Sequence, residues 1–518
     1  MTKSFLIAAI GACTSPSHGP ELVFVRDGII SPEDTHQGRL LTDGRRFHEL
    51  SWRQGESTTV GSLTGIGPAR AECEAIFHVP LGDVSRHVAM GGEAPNTALQ
   101  FSPNEEVLAI GTATGHIWVV DGWTGSVIAE TRLAETSIKT VAWSIDGETL
   151  YAAEQSPDAF IHALDPNSLA IRWSNRLADI VGSSPVPDES DVYGLYTLPS
   201  AYSVNVLASD ELIVTALHSW PTDQGQQNAS QIVKISPEGL ITDRWPDQPA
   251  DATFTHAQFN EDKGLLAFVV GRSASGPPPS DLPIGGVLVL SANDLEPVLS
   301  MTIPPLKPWF DTSQIWEAID ISTDGDLVIG LYDGRIMGMG IDGETQFENN
   351  TGTPIHAGSV PIVAAVSWAQ FSSNGILATT SATSIPFGSQ STALRPPTAH
   401  PNENTLWAID SNGDIDWKWS GRHVIQGLTQ HPDTNWVVTG AGDRTTDTRR
   451  DLYGALVFDT TPERDLGPKT RLMAICPTQG PVYFRQAVTT DGRIAVAEHP
   501  WVETDGTIGG KYQATVLR

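Results

Sequence analysis

Three arginines lie close together in one segment of a strongly acidic chain. Arg444, Arg449 and Arg450 fall within a short stretch, whereas the whole chain has 61 Asp and Glu against 31 Lys and Arg, a formal net charge of −30. Because a guanidinium group forms paired hydrogen bonds with a carboxylate or a phosphate, this cluster predicts binding of an anionic ligand or an acidic partner. The alternative is that the arginines pair with the aspartates beside them.

Aromatic and histidine side chains stand out in other segments rich in Pro, Ser and Gly. Aromatic rings in polar loops can anchor a protein partner or a sugar, or they can cover the loops in which they lie. His218, His400 and His499 lie in such segments, but no His-x-His or His-x3-His spacing supports a metal site. Beside the arginine cluster, the candidate partner- or ligand-binding residues are Trp220, Phe387, Arg395, His400, His499 and Trp501.

The chain lacks the linear motifs that mark common catalytic sites. It contains no Gly-x-Ser-x-Gly, no phosphate-binding Gly-x-x-x-x-Gly-Lys-Ser/Thr and no His-Glu-x-x-His. We therefore predict no catalytic residues, no metal and no resident cofactor. The negative charge argues against nucleic-acid binding because a phosphate backbone would be repelled. We also expect no transmembrane span.

A short polar turn that recurs along the chain indicates the elements that hold these residues. Asp-Gly and Asn-Gly in such turns favour the positive φ angles of tight hairpins, so one strand enters each turn and another leaves antiparallel to it. The eight copies are FSPNEE (101–106), WSIDGE (143–148), LASDE (207–211), FNEDKG (259–264), ISTDGD (321–326), FSSNG (371–375), QHPDTN (430–435) and VTTDGR (488–493).

Apolar strands follow each turn and complete a repeat of about 40–60 residues, as expected for one four-stranded propeller blade. Third strands such as IWVVD and LWAID resemble those of WD40-like and quinoprotein-like β-propellers, and HALDPNSLAIRW and LWAIDSNGDIDWKW resemble PQQ-like repeats. The resemblance covers about residues 97–518, although the Gly-His and Trp-Asp dipeptides of strict WD40 repeats are missing. It implies an all-β propeller of four-stranded antiparallel blades and leaves the activity open.

Eight turns predict eight blades, with seven or nine remaining open. The last copy ends at its third strand, YQATVLR, so we expect the N-terminal segment to donate the fourth strand and close the ring. Residues 1–96 are predicted to supply this closure and additional hairpins, and residues 97–518 the blades of the same domain. Tryptophans on the strands are expected to pack between neighbouring sheets.

Length variation is concentrated in the segments that connect second and third strands: 218–230, 272–286, 381–404, 441–454 and 498–511. In a propeller these connections emerge on one face, where insertions typically mark the working surface. We predict a non-catalytic platform that binds a protein partner or a small anionic ligand on that face. The alternatives are a quinoprotein-like or other enzyme acting at the central channel, with calcium or a quinone, or a surface lipoprotein of envelope assembly.

Two interpretations of the first residues bear on location. MTKSFLIAAIGAC roughly fits a short lipoprotein signal ending at Cys13, or it forms blade material, since FLIAAIGACTSPSHGPELVFVRDG aligns with VLAIGTATGHIWVVDG. Blade material and a cytoplasmic location are favoured, with free, buried cysteines. In the exported alternative, Cys13 carries lipid while Cys73 and Cys476 pair across the ring closure.

Overall fold

The polar turns of the sequence join antiparallel strands in a computed structural model of the 518-residue chain. The structure describes residues 23–25, 28–30 and most of 73–518. Within that last range it leaves out 85–96, 188–194, 196, 224, 273–278, 280, 387–395, 422–423, 432, 443–452, 462–471, 485 and 503–506.

Three strands come from the N-terminal segment. They are β1 (Val23–Val25), β2 (Gly28–Ile30) and β3 (Ala75–Pro80). The first two pair with each other in a small separate sheet, whereas β3 joins the last strand of the chain. The segment MTKSFLIAAIGAC, interpreted as blade material or as a lipoprotein signal, lies outside the described residues.

The following strands form antiparallel sheets that we number as blades along the chain. Blade 1 contains β4 (Ala98–Phe101), β5 (Val107–Gly111), β6 (His116–Asp121) and β7 (Val127–Arg132). Blade 2 contains β8 (Ser137–Trp143), β9 (Leu150–Gln155), β10 (Phe160–Leu164) and β11 (Ile171–Arg176), and is followed by a short helix, α1 (Ala178–Val181). Blade 3 contains β12 (Ser200–Val206), β13 (Leu212–Thr222), β14 (Gly225–Ile235) and β15 (Ile241–Ala250). A single pair, Ser200 with Gln155, links blades 2 and 3.

The middle of the chain repeats this arrangement. Blade 4 contains β16 (Thr253–Asn260), β17 (Leu265–Gly271), β18 (Gly286–Ser291) and β19 (Pro297–Thr302). Blade 5 contains β20 (Ile315–Ile321), β21 (Leu327–Leu331), β22 (Arg335–Met339) and β23 (Thr345–Asn350). Blade 6 contains β24 (Ile355–Ala357), β25 (Val360–Ser372), β26 (Gly375–Ser384), β27 (Thr405–Ile409) and β28 (Ile415–Ser420).

The last two sheets close the series. Blade 7 contains β29 (Val424–Gln430), β30 (Trp436–Gly442), β31 (Gly454–Asp459) and β32 (Leu472–Pro477). Blade 8 contains β33 (Ala487–Val488), β34 (Ile494–Glu498) and β37 (Gln513–Leu517), with β3 as its outer strand and a small hairpin, β35 (Trp501–Val502) and β36 (Ile508–Gly509), inserted. The predicted closure by the N-terminal segment is confirmed, since β3 pairs with β37 from Ala75–Leu517 to Pro80–Gln513.

The first strands of successive blades contact one another in cyclic order, from β4 through β8, β12, β16, β20, β25 and β29 to β33, which contacts β4 again. They therefore surround a central axis. All eight predicted turns connect a first strand to a second strand, and Gly147 and Gly492 take positive φ angles of 73° and 87° there. The all-β propeller of four-stranded blades is confirmed, while the number of blades in the ring stays a prediction that these eight units support.

The core lies between adjacent blades. Second strands such as β9 and β21 are buried along their whole length because neighbouring sheets cover both faces, whereas fourth strands such as β7 alternate between exposed and half-buried. Trp419 of blade 6 meets Phe458 of blade 7 edge-on, with ring centroids 5.1 Å apart, and the Trp173 indole N–H donates to the Pro237 carbonyl of blade 3. The predicted packing role of these tryptophans is confirmed. Among the described residues, no helix is long and apolar enough to cross a membrane.

Candidate functional site

The candidate site is the face of the ring that carries the connections between second and third strands and the links between blades, here called the loop face. These two kinds of connection touch each other repeatedly. The Gly352 N–H of one link donates to the Gly334 carbonyl, and the Asn402 side chain donates to the Thr351 carbonyl. Both kinds therefore lie on the same side of the blades, as the sequence predicts.

The segment 218–230 is a regular hairpin, so its description as a loop is wrong. Strands β13 and β14 continue in register from His218 opposite Ala229 to Thr222 opposite Gly225, beyond the ends of the other second strands. Pairing between the two strands satisfies backbone groups that an irregular loop would leave to solvent. The hairpin therefore extends the blade towards the loop face as a rigid arm.

Trp220 lies half-buried on this arm, and its ring centroid is 4.5 Å from that of His218. His218 is buried, with Nδ1 3.1 Å from the Val181 carbonyl oxygen and Nε2 2.7 Å from the Ser184 hydroxyl. Burial lowers the pKa of His218, and the contact with Val181 partly opposes this effect. The neutral imidazole thus fixes the arm against the link that follows blade 2.

Trp501 begins the small hairpin β35–β36 in the connection 498–511 and is half-buried. Its ring lies 6.0 Å from the Tyr453 ring and covers Gly510, where an added Cβ would come within 2.2 Å of the indole. The opposite strand presents Ile508, whose side chain is exposed. This hairpin therefore combines a fixed aromatic ring with an apolar side chain open to solvent.

His400 lies buried between blades 5 and 6. Its Nε2 is 3.1 Å from the Thr353 carbonyl oxygen, and its Nδ1 accepts a hydrogen bond from the Asn402 N–H. Burial lowers the pKa of His400 to about 4, opposed by the contact with Thr353 and assisted by the charge of Lys418. The imidazole stays neutral at physiological pH and joins the connection of blade 6 to the link before it.

His499 is also buried, but neither ring nitrogen has a hydrogen-bond partner within the described part of the chain. Its ring lies 5.5 Å from that of Tyr483 and 5.7 Å from that of Tyr512. Burial lowers the pKa of His499 to about 3, so the ring is neutral. His499 is therefore packed against two tyrosine rings, and its ring nitrogens form no hydrogen bond with the described residues.

The remaining predicted residues, Arg444, Arg449, Arg450, Phe387 and Arg395, lie outside the described residues, and their binding role stays a prediction. His218, His400 and His499 lie on blades 3, 6 and 8, each enclosed by its own local contacts. In the described ranges, no group of three or more His, Cys, Asp or Glu side chains is arranged to hold a metal ion.

Sequence reasoning missed one apolar part of the loop face. The link between blades 4 and 5 presents a half-buried Trp309 whose ring lies 5.1 Å from that of His356 on β24, next to an exposed Ile355. The sequence does contain a signal for this part of the face, the Trp-Phe pair that ends IPPLKPWF. Because the segment is rich in Pro, its composition indicates only a connection between blades.

The comparisons with known proteins agree with this architecture. A family model described as the WD40 domain of anaphase-promoting complex subunit 4 matches residues 69–146. The C-terminal WD40 domain of Sif2 is similar at 12% identity, with 86% of this chain and 98% of that one covered and a TM-score of 0.51. The Dos1 propeller is similar at 12% identity, with 86% and 94% covered and a TM-score of 0.52. No curated protein matches the chain.

At such identity the structural likeness concerns the fold alone. The PQQ-like character of individual repeats stays a prediction. The family match over residues 69–146 and the structural relatives confirm the predicted resemblance to WD40-like propellers, and the fold of the chain is a β-propeller.

Proposed function

We propose that this propeller is a non-catalytic platform that binds a protein partner through its loop face. The observation that carries the proposal is the extension of regular structure on that face, where the β13–β14 arm and the β24–β25 and β35–β36 hairpins occur. Rigid blades hold these extensions in fixed positions, which lowers the entropy that a binding surface loses when a partner docks.

The chemistry of the extensions supports a protein partner. Ile355 is 39% exposed and precedes His356, which contacts the half-buried Trp309. Ile508 is 43% exposed in the hairpin that also carries the half-buried Trp501. Aromatic rings fixed by packing, with apolar side chains open to solvent, are typical of interface anchors. Because the whole chain has a formal net charge of −30, a partner with basic residues would associate fastest, and salt would slow that association.

The test compares substitutions on the two faces of the ring. Ile355→Ser and Ile508→Ser remove apolar contacts from the loop face, whereas Ile145→Ser and Leu240→Ser alter exposed residues in turns on the opposite face. All four residues are exposed, so the fold should tolerate each change. We expect the first pair to weaken recovery of partners in quantitative affinity capture by at least about tenfold. Equal recovery with both pairs would contradict the proposal.

A further inference from the structure

Four side chains with ionisable or polar groups lie on the innermost strands of four consecutive blades. They are Lys139 on β8, Tyr202 on β12, His256 on β16 and Glu317 on β20. Each lies where the ladder with the second strand is interrupted, between Ile138 and Thr140, Ala201 and Ser203, Thr255 and Gln258, and Ile315 and Ile319. Such bulges redirect side chains, often beside functional sites.

The four side chains form a continuous series from blade 2 to blade 5. Lys139 Nζ lies 4.9 Å from the centroid of the Tyr202 ring. The Tyr202 hydroxyl is 3.4 Å from His256 Nε2, with the two rings edge-on, and the same nitrogen is 3.8 Å from Glu317 Oε1. Residues of four different inner strands can meet in this way only on the axial side of the blades, so the series lines the central channel.

Lys139 differs from the other two lysines that are at least partly enclosed in the described part of the chain. Lys234 Nζ lies 3.1 Å from Glu211 Oε2, and Lys418 Nζ lies 2.9 Å from Asn402 Oδ1. Lys139, in contrast, has neither an ion pair nor a hydrogen-bond acceptor among the described residues, and its ammonium group lies over the Tyr202 ring.

Lys139 lies in a confined part of the channel that solvent can still reach. Lys139 and Tyr202 are half-buried, whereas His256 and Glu317 are buried, so the solvent in the channel reaches the first two. Burial lowers the pKa of Lys139, and the charge of Glu317 opposes this effect. A half-buried ammonium group keeps only part of its hydration, and a bound anion would supply the acceptor that the described residues do not.

We propose that the central channel binds a small ligand through its carboxylate group, with Lys139 as the ionic partner and the Tyr202 hydroxyl as a hydrogen-bond donor. The single positive charge of the Lys139 ammonium group matches the single negative charge of a carboxylate. A phosphate dianion is disfavoured because its second charge would lie near the Glu317 carboxylate. The channel site is separate from the loop face and does not depend on the proposed protein partner.

The test uses acetate as the probe and the full chain as the protein. Acetate should raise the melting temperature relative to chloride at equal ionic strength, because it binds only the folded state. Lys139→Met should abolish this effect, whereas Lys263→Met, at an exposed position in a turn of blade 4, should retain it.

Tyr202→Phe provides a second variant that keeps the ring and removes the hydroxyl. It should weaken the apparent affinity for acetate about three- to tenfold, as expected for one hydrogen bond. The proposal is overturned if acetate stabilises no more than chloride, if Lys139→Met folds and retains the effect, or if Tyr202→Phe binds acetate as well as the unmodified chain. Stronger stabilisation by inorganic phosphate than by acetate would overturn the carboxylate class.

Discussion

Cys73 and Cys476 are joined by a disulfide bond although 403 residues separate them in the sequence, and their Cα atoms lie 4.7 Å apart. Cys73 lies just before β3, and Cys476 belongs to β32, the outer strand of blade 7. The closing strand is thus hydrogen-bonded to blade 8, and the segment just before it is covalently joined to blade 7. The ring is therefore closed through both of the sheets that meet at this junction.

Removing the disulfide should destabilise the ring. We expect the double variant Cys73→Ser, Cys476→Ser to lose about 2–5 kcal/mol of unfolding free energy, since a cross-link over so long a loop restricts the unfolded chain. Denaturant titration measures this loss. A reducing agent should lower the stability of the unmodified chain to that of the variant and leave the variant unchanged; no response of the unmodified chain to reductant would contradict the disulfide.

The disulfide also bears on location. The expectation of free cysteines is wrong for Cys73 and Cys476, which form the pair expected in the exported alternative. Disulfides persist in oxidising compartments and are rare in the cytosol. Cys13, which would carry lipid in that alternative, lies outside the described residues, and location stays a prediction. We expect intact mass of protein isolated from its native cells to show loss of the residues before Cys13 and addition of lipid if the chain is exported as a lipoprotein.

Arg493 fastens blade 8 to blade 1 on the face opposite the loop face. Its side chain is only 2% exposed and donates to the carbonyl oxygens of Gly122 and Glu105, each at 2.8 Å, and to the Asp491 carboxylate. We predict that Arg493→Met costs about 3–5 kcal/mol of unfolding free energy, because it leaves these acceptors without their donor.

Arg172 provides the matched control for that substitution. Its ion pair with Asp165 is exposed, with an N–O distance of 3.2 Å. Arg172→Met should therefore cost no more than about 1 kcal/mol. Similar losses of unfolding free energy in the two variants, measured by denaturant titration, would argue against a stabilising contact between blades 8 and 1 at Arg493.

Replacing His499 should stabilise the protein. Its two ring nitrogens are buried without a hydrogen-bond partner among the described residues, and two tyrosine rings enclose it. Because a buried polar group without a partner costs about 1–3 kcal/mol, His499→Phe should raise the unfolding free energy by about 1 kcal/mol or more above pH 6.5, and His499→Leu tests the same change with a smaller side chain. A loss of stability in both variants would show that the imidazole contributes an interaction of its own.

The pKa values of the buried His400 and His499 predict how stability depends on pH. Burial holds the pKa of His400 at about 4 and that of His499 at about 3, below the ordinary value of 6.5. Below pH 6.5 the unfolded chain takes up protons that the folded chain does not, so stability should fall as the pH decreases from 6.5 towards 4. The advantage of His499→Phe should grow across this interval by about 1 kcal/mol per pH unit. An advantage independent of pH would contradict a neutral, buried His499.

Local signals predicted the blades well. Each polar turn, such as 143–148 or 488–493, specifies its own hairpin through residues that favour tight turns, and every one of the eight connects two strands. The sequence predicted that the N-terminal segment supplies a closing strand, but it did not predict which residues form that strand. Its sequence, AIFHVP, carries no local mark that distinguishes it, because its pairing partner lies at the other end of the chain.

Two features of the site could not be predicted. The polar composition of 218–230 indicates a loop, whereas cross-strand pairing extends β13 and β14 through it. The series from Lys139 to Glu317 is invisible in the sequence, because its members are far apart in the chain and only bulges on four inner strands bring them together. Both features depend on how strands pair and pack in the folded chain, which the local sequence does not reveal.

Hydrogen–deuterium exchange of the chain with a partner recovered by affinity capture tests the loop-face proposal most directly. If the loop face binds the partner, amides in the described parts of two connections, 218–223 with 225–230 and 498–502 with 507–511, should exchange more slowly in the complex. The turns 143–148 and 321–326 on the opposite face should exchange as in the free chain. Protection confined to those opposite turns would contradict the account.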